Sequence, residues 1–312
     1  MSLDSNGGAP PPAVDSAAIV ASLDAGEDEQ LDDEMRSVVL DHGVRTPRVV
    51  VLLHGLTASP RTWLEFARAR YARGENVLVA RLPRHGHRDR MSDTLARLTR
   101  EELAEHAARI LEAAHALGDQ VVLVGHSLGG ALALHLAHRD ASVFRAIAIA
   151  PFLGIARLPH DWNAFVRSLI ERLPNRFLYW DPIDRGRSQP QHGYPRYSTR
   201  ALAAALAVAD ALRDDAQSGP PGAAHVEIVR NAGETSVNNR TIDDLLARWR
   251  AAGGAAVRVH RLIGLGPSHD IVEPERKRAP ALRFLPQLHA LLDAPPPDHD
   301  LTLDLGTDES SP

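Results

Sequence analysis

The chain has 312 residues, 44% hydrophobic and 24% charged, with a formal net charge of -5 and no cysteine. These are ordinary globular values, sufficient for a sizeable core in one large domain carrying an insertion. The mild acidity without a basic stripe argues against nucleic-acid binding, and the missing cysteines remove disulfides, thiolate catalysis and cysteine-ligated metals together.

Residues 1–33 are rich in Gly, Pro, Ala, Asp and Glu, with Pro10, Pro11 and Pro12 in succession and an acidic stretch at 27–34. So little apolar surface predicts a disordered tail, with at most a short helix over 16–23. No positively charged head precedes an apolar run, and nowhere do 18 apolar residues run together. The expectation is a cytoplasmic protein with no membrane span.

From there, β-rich runs at 37–40, 48–53, 76–82, 120–124, 144–150, 225–229 and 256–263 alternate with helical patterns at 60–73, 100–117, 130–138, 242–252 and 281–292. Several of these runs are apolar throughout, as parallel strands covered on both faces must be. The alternation predicts an α/β protein with a doubly wound, mostly parallel sheet, its core formed by 34–151 and 223–294. Pro295, Pro296 and Pro297 stop the last helix, and an acidic tail over 295–312 is expected to be disordered.

The rhythm breaks over 152–222, which shows no strand pattern but holds Trp162, Phe165, Phe177, Tyr179, Trp180, Tyr194 and Tyr197. An insertion following a strand's carboxyl end would hang over the crevice where such sheets bind ligands. It reads as a small helical cap, with Trp162, Phe165 and Trp180 as candidate substrate-binding residues, although aromatic clusters serve packing as often as pockets.

The chemistry gathers at Gly125, His126, Ser127, Leu128, Gly129 and Gly130, where an apolar strand stops and an alanine-rich helical pattern begins. A serine on a tight strand-to-helix turn needs small neighbours, and the helix N-terminus behind it aims free N–H groups at the atom the serine attacks. A serine hydroxyl also needs a base, and the base an acid to hold it. On such a sheet they follow in the order serine, acid, histidine. His269 lies in the loop beyond the last strand, whereas His225 and His260 fall in or at strands, His289 in a helix and His299 in the tail. Glu234, past the strand at 225–229, is the candidate acid; Asp181, Asp184, Asp243, Asp244 and Asp270 are its rivals. The loop His54, Gly55, Leu56, Thr57, Ala58, Ser59, Pro60 can bring the Leu56 N–H beside that of Leu128 as an oxyanion hole. The bland alternative is a simple turn with Ser59 as helix N-cap.

A metal-dependent alternative starts at His85, Gly86, His87, Arg88 and Asp89, which give His-x-His-x-Asp. The next position, where such sites want another histidine, is the cation Arg90, so no metal is expected.

These residues together resemble the α/β-hydrolase-fold serine hydrolases, in their carboxylesterase and monoacylglycerol-lipase branch, over about 36–292. The matching features are the loop from His54 to Pro60, Pro83 with His85 and Gly86, the turn at Gly125 to Gly130, and the late Glu234 and His269. The resemblance implies a triad of Ser127, Glu234 and His269, an acyl-enzyme intermediate, no cofactor, and a mobile cap that sets selectivity for a small-molecule acyl ester. It departs in using Glu where Asp is more usual and in placing Arg84 and Arg88 around His85 and Gly86, with Arg90 adding a weak hint of an anionic substrate group. Thioester hydrolysis, acyl transfer, peptidase activity and non-catalytic binding use the same scaffold, and fold does not choose among them.

Overall fold

The structure is a computed structural model that describes residues 13–159, 161–185, 190–253, 257–275 and 280–306. In chain order its elements are α1 (Ser16–Asp24), β1 (Val38–Leu40), β2 (Thr46–Leu53), α2 (Leu64–Tyr71), β3 (Asn76–Ala80), α3 (Arg100–Leu117), β4 (Gly118–His126), α4 (Leu128–Arg139) and β5 (Val143–Ile149). There follow α5 (Asn163–Arg172), β6 (Phe177–Tyr179), β7 (Arg196–Ser198), α6 (Thr199–Asp215), β8 (His225–Asn231), α7 (Asn239–Ala251), β9 (Val257–Ile263), α8 (Ala281–Asp293) and β10 (Thr302–Asp304).

Eight strands form one sheet in the order β1-β3-β2-β4-β5-β8-β9-β10. Only β1 runs antiparallel to its neighbour; all the other pairs are parallel. Alternation of side chains along each strand divides the core in two. Val49, Val51 and Leu53 with Val121 and Leu123 pack under α3, α4, α6 and α7, while Val50, Leu52, Val122 and Val124 face α2 and α8. No described helix is long and apolar enough to cross a membrane.

Three expectations need correction. The tail foreseen over 1–33 is cut back: residues 1–12 lie outside the described residues, but α1 forms under the Asp15 cap, and Leu23 and Leu31 are buried. The segment folds because Asp24, ahead of the acidic stretch, and Glu27, at its start, find a cation far along the chain. Asp24 accepts from Arg81 at 3.0 Å and from the Ser37 hydroxyl at 2.8 Å, and Glu27 accepts from Arg81 at 2.6 Å. At the other end, β10 adds to β9 inside the segment expected to be disordered, while 307–312 lie outside the described residues. The insertion, too, is more than a helical cap. β6 and β7 pair as a short antiparallel ribbon, and α6 packs on α3 and α4 as part of the core's helical layer.

Candidate active site

At the carboxyl end of β4 the chain turns abruptly into α4 through Ser127, which sits at φ 55° and ψ -116°. A side chain in that left-handed region is strained, and the surrounding backbone holds it there. Ser127 N–H donates to Ile149 O at 3.0 Å, and its carbonyl accepts from Phe152 at 2.9 Å and Ala131 at 3.0 Å. The turn closes only because its neighbours are small: a Cβ on Gly125 would lie 2.1 Å from Gly129 O.

The loop after β9 brings His269 to this serine. The Ser127 hydroxyl donates to His269 Nε2 across 2.9 Å, and His269 Nδ1–H donates to Glu234 Oε2 across 2.8 Å. Glu234, past the end of β8, is itself fixed: its Oε1 accepts the N–H groups of Thr235 at 2.8 Å and Ser236 at 2.6 Å. Burial alone would raise its pKa, but the His269 contact and these N–H groups outweigh that and hold it below the ordinary glutamate value. The carboxylate therefore stays charged, which fixes the imidazole tautomer with Nε2 as the acceptor.

Two positioning groups escaped the sequence reading. His126, inside the turn motif, donates from Nε2 to the His269 carbonyl at 2.9 Å. Burial, then the neighbouring His269, push its pKa down to about 4, so it remains a neutral donor near pH 7. Asn231, the last residue of β8, donates to Gly266 O at 2.9 Å and Ser268 O at 2.8 Å, and its own oxygen accepts from Gly233 at 3.1 Å. It thereby ties the loop carrying Glu234 to the loop carrying His269. Its place at a strand's carboxyl end was the available signal, but asparagines are common in loops.

The loop after β2 lies against the serine, close enough that a Cβ on Gly55 would approach the Ser127 Cβ to 3.3 Å. Among the described residues, neither the Leu56 nor the Leu128 N–H is spent on a backbone acceptor. Ser59 does not cap the following turn with its side chain; its hydroxyl meets His192 Nδ1 at 3.0 Å instead.

The remaining candidates are placed as follows. Trp162 and Phe165 pack edge to face at 5.8 Å on the insertion and are both markedly exposed. Trp180 sends its indole N–H to Thr57 Oγ1 at 2.7 Å. The hint of an anionic pocket weakens, because the three arginines have protein partners: Arg84 pairs with Glu27 and Glu102, Arg88 donates to Glu29 O, and Arg90 holds Pro190 O, Gln191 and Gly193 O. Of the rival acids, Asp243 pairs with Arg230, Asp244 with Arg213 and Arg248, and Asp181 caps the turn at Ile183. His85 and His87 are buried, and His85 accepts the Thr57 N–H at 3.1 Å. No group of three or more potential metal ligands occurs among the described residues.

A serine on a strained strand-to-helix turn of a doubly wound sheet, with a histidine and a carboxylate following in later loops, is the arrangement of a hydrolase scaffold. The chain belongs to the alpha/beta hydrolase family, whose model matches residues 50–297. Among solved structures it is similar to one from the metagenome-derived lipolytic enzymes LipS and LipT, at 17% identity and a TM-score of 0.64, covering 85% of this chain and 99% of that one. The monoacylglycerol lipase of Paleococcus ferrophilus aligns at 18% identity and TM-score 0.62, covering 82% and 97%. A soluble variant of monoglyceride lipase from Saccharomyces cerevisiae, solved with a substrate analogue, aligns at 13% and 0.62, covering 83% and 91%. At these identities the likeness establishes the shared fold. No curated protein matches the sequence.

Proposed function

We propose that the chain is a serine hydrolase of carboxylic esters, working through an acyl-enzyme in the manner of carboxylesterases and monoacylglycerol lipases. The observation that carries this reading is the continuous hydrogen-bonded chain from Ser127 Oγ through His269 to Glu234. Ser127 Oγ attacks the acyl carbonyl while its proton passes to His269 Nε2, and Glu234 stabilises the resulting imidazolium. The Leu56 and Leu128 N–H groups receive the negative oxygen of the tetrahedral intermediate. The C–O bond to the alcohol then breaks, and the alcohol leaves with the proton from His269. Water, deprotonated by the same imidazole, attacks the acyl-enzyme and releases the acid.

An apolar acyl part suits the insertion, along which Trp162, Phe165, Leu169 and Leu173 are exposed, an apolar surface of the kind that marks ligand or interaction sites. The lipase names among the fold relatives point the same way. The test is labelling by a fluorophosphonate together with turnover of p-nitrophenyl esters of graded chain length. Labelling at Ser127, lost in Ser127→Ala along with ester turnover, is expected. A Ser127→Ala protein that still hydrolyses these esters would overturn the reading, and preference for a thioester or peptide over every ester would move the substrate class.

A further inference from the structure

The turn that carries the Leu56 N–H is gripped from the insertion, and the grip converges on one residue. Thr57 sits at φ 70°, a left-handed conformation that a β-branched residue adopts only when its surroundings impose it. All three of its polar groups are engaged. Its N–H donates to His85 Nε2 at 3.1 Å, its carbonyl accepts from the Tyr194 N–H at 2.7 Å, and its Oγ1 accepts from Trp180 Nε1 at 2.7 Å. Two residues on, Ser59 meets His192 at 3.0 Å.

Three residues of the insertion, Trp180, His192 and Tyr194, therefore hold the turn on one side, and His85 holds it on the other. His85 is a fixed acceptor: its Nδ1–H donates to Pro83 O at 2.8 Å, which leaves Nε2 with a lone pair for Thr57. On the insertion, Trp180 is braced at the end of the ribbon by Tyr197, with ring centroids 4.3 Å apart. Tyr194 is anchored by its hydroxyl, which accepts the His87 N–H at 2.9 Å. Arg90 clamps the segment before it through Pro190 O and Gly193 O.

The peptide that presents the Leu56 N–H adjoins the peptide that His85 holds, so a shift of the ribbon reaches the donor through one residue. Misplacing an oxyanion donor costs rate without necessarily costing substrate affinity, because the bond is made in the transition state. We propose that Trp180 is a positioning residue: its hydrogen bond to Thr57 sets the Leu56 N–H, so the insertion governs oxyanion stabilisation as well as walling the substrate. The inference rests on the ester-hydrolase reading above, and it changes the role foreseen for Trp180 from substrate contact to support of the machinery.

The variants Thr57→Val, which removes the acceptor but keeps the branched shape, and Trp180→Phe, which removes the donor but keeps a ring, test it on a p-nitrophenyl ester. Each is expected to lower kcat about 10-fold with KM within about twofold. The double variant should be no slower than the worse single one, because both remove the same bond, and Thr57→Ser should restore near wild-type rates. The rate constant for fluorophosphonate labelling of Ser127 should fall in parallel with kcat, since the phosphonyl oxygen uses the same hole. A rise in KM at constant kcat, additive losses in the double variant, or unchanged labelling rates would overturn the proposal. Those outcomes leave the ester-hydrolase reading intact, which fails separately if Ser127→Ala retains turnover.

Discussion

Among the described residues, the Ser127–His269–Glu234 chain has a look-alike of the same residue types in Ser59–His192–Glu273. In the first the contacts are 2.9 and 2.8 Å; in the second His192 Nδ1 lies 3.0 Å from Ser59 Oγ and its Nε2 lies 3.3 Å from Glu273. Residue types hardly separate them, but only the first is hydrogen-bonded throughout, because His192 Nε2 makes no hydrogen bond among the described residues, and the setting separates them further. Ser127 is 8% exposed and its histidine side chain 19%, whereas Ser59 is wholly buried and His192 nearly so. Ser127 is followed by Leu128 at the start of a helix, with an N–H to offer. Ser59 is followed by Pro60, which has none. Its extended backbone, at φ -146° and ψ 171°, is what a residue before proline adopts without strain. Glu273 also accepts the Thr62 hydroxyl at 2.9 Å. The second set thus ties the loop after β2, the insertion and the segment beyond His269 together, whereas the first is strained, reachable and followed by an N–H that no backbone acceptor uses among the described residues.

The widest separation should come from the two serines. Ser127→Ala is expected to lower kcat by about 10^5-fold or more, leaving only residual catalysis by the remaining site. Ser59→Ala should keep turnover within about 10-fold and register mainly as a lower melting temperature. Steady-state kinetics on one ester with thermal melts of both variants makes the comparison, and comparable losses of turnover would erase the distinction.

The glutamates should part next. Glu234→Gln disturbs the tautomer of His269, and losses of about 10^3- to 10^4-fold are expected for a change of that kind. Glu273→Gln should stay within about 10-fold of wild type, and Asp243→Asn, at an exposed pair with Arg230, should be indistinguishable from it. A ranking that placed either of these below Glu234→Gln would move the acid.

The first chain was legible from sequence because each member occupies a loop that strand alternation alone locates, in an order imposed by the sheet. The second was not. Ser59 reads as a helix cap, His192 lies in the insertion, and their meeting depends on how the insertion packs. Trp180 illustrates the same limit: an aromatic in a cap signals apolar contact, while its indole N–H finds Thr57, 123 residues away in the chain. The N-terminal segment was misread for a related reason. Composition marks 27–34 as solvated acid, but Glu27 at its start pairs with Arg81 and Arg84, which lie beyond a strand with which it shares no local pattern.

That segment supplies a third glutamate that sharpens the contrast, because its charged partners lie within the fold and it contacts neither Ser127 nor His269 in a hydrogen bond or ion pair among the described residues. Glu27 contacts Arg81 at 2.6 Å and Arg84 at 3.2 Å, with His87 Nε2 at 3.5 Å. Burial by itself would raise its pKa; the His87 contact and the two guanidiniums outweigh that and bring it down to about 2 from 4.5. Because the folded state holds the carboxylate below its unfolded value, its stabilisation is complete above pH about 4.5 and is lost as the pH falls towards 2. A shift of that size corresponds to about 3 kcal/mol, at the low end of what breaking a buried pair costs. Glu27→Gln should therefore unfold at lower urea concentration than wild type at pH 7, with a difference that narrows progressively below pH about 4.5. Its kcat at 25 °C, where both proteins remain folded, should change by less than about twofold. Urea titrations at several pH values beside ester kinetics test both halves, and a large loss of kcat without a loss of stability would place Glu27 with Glu234 rather than with the groups that hold the fold.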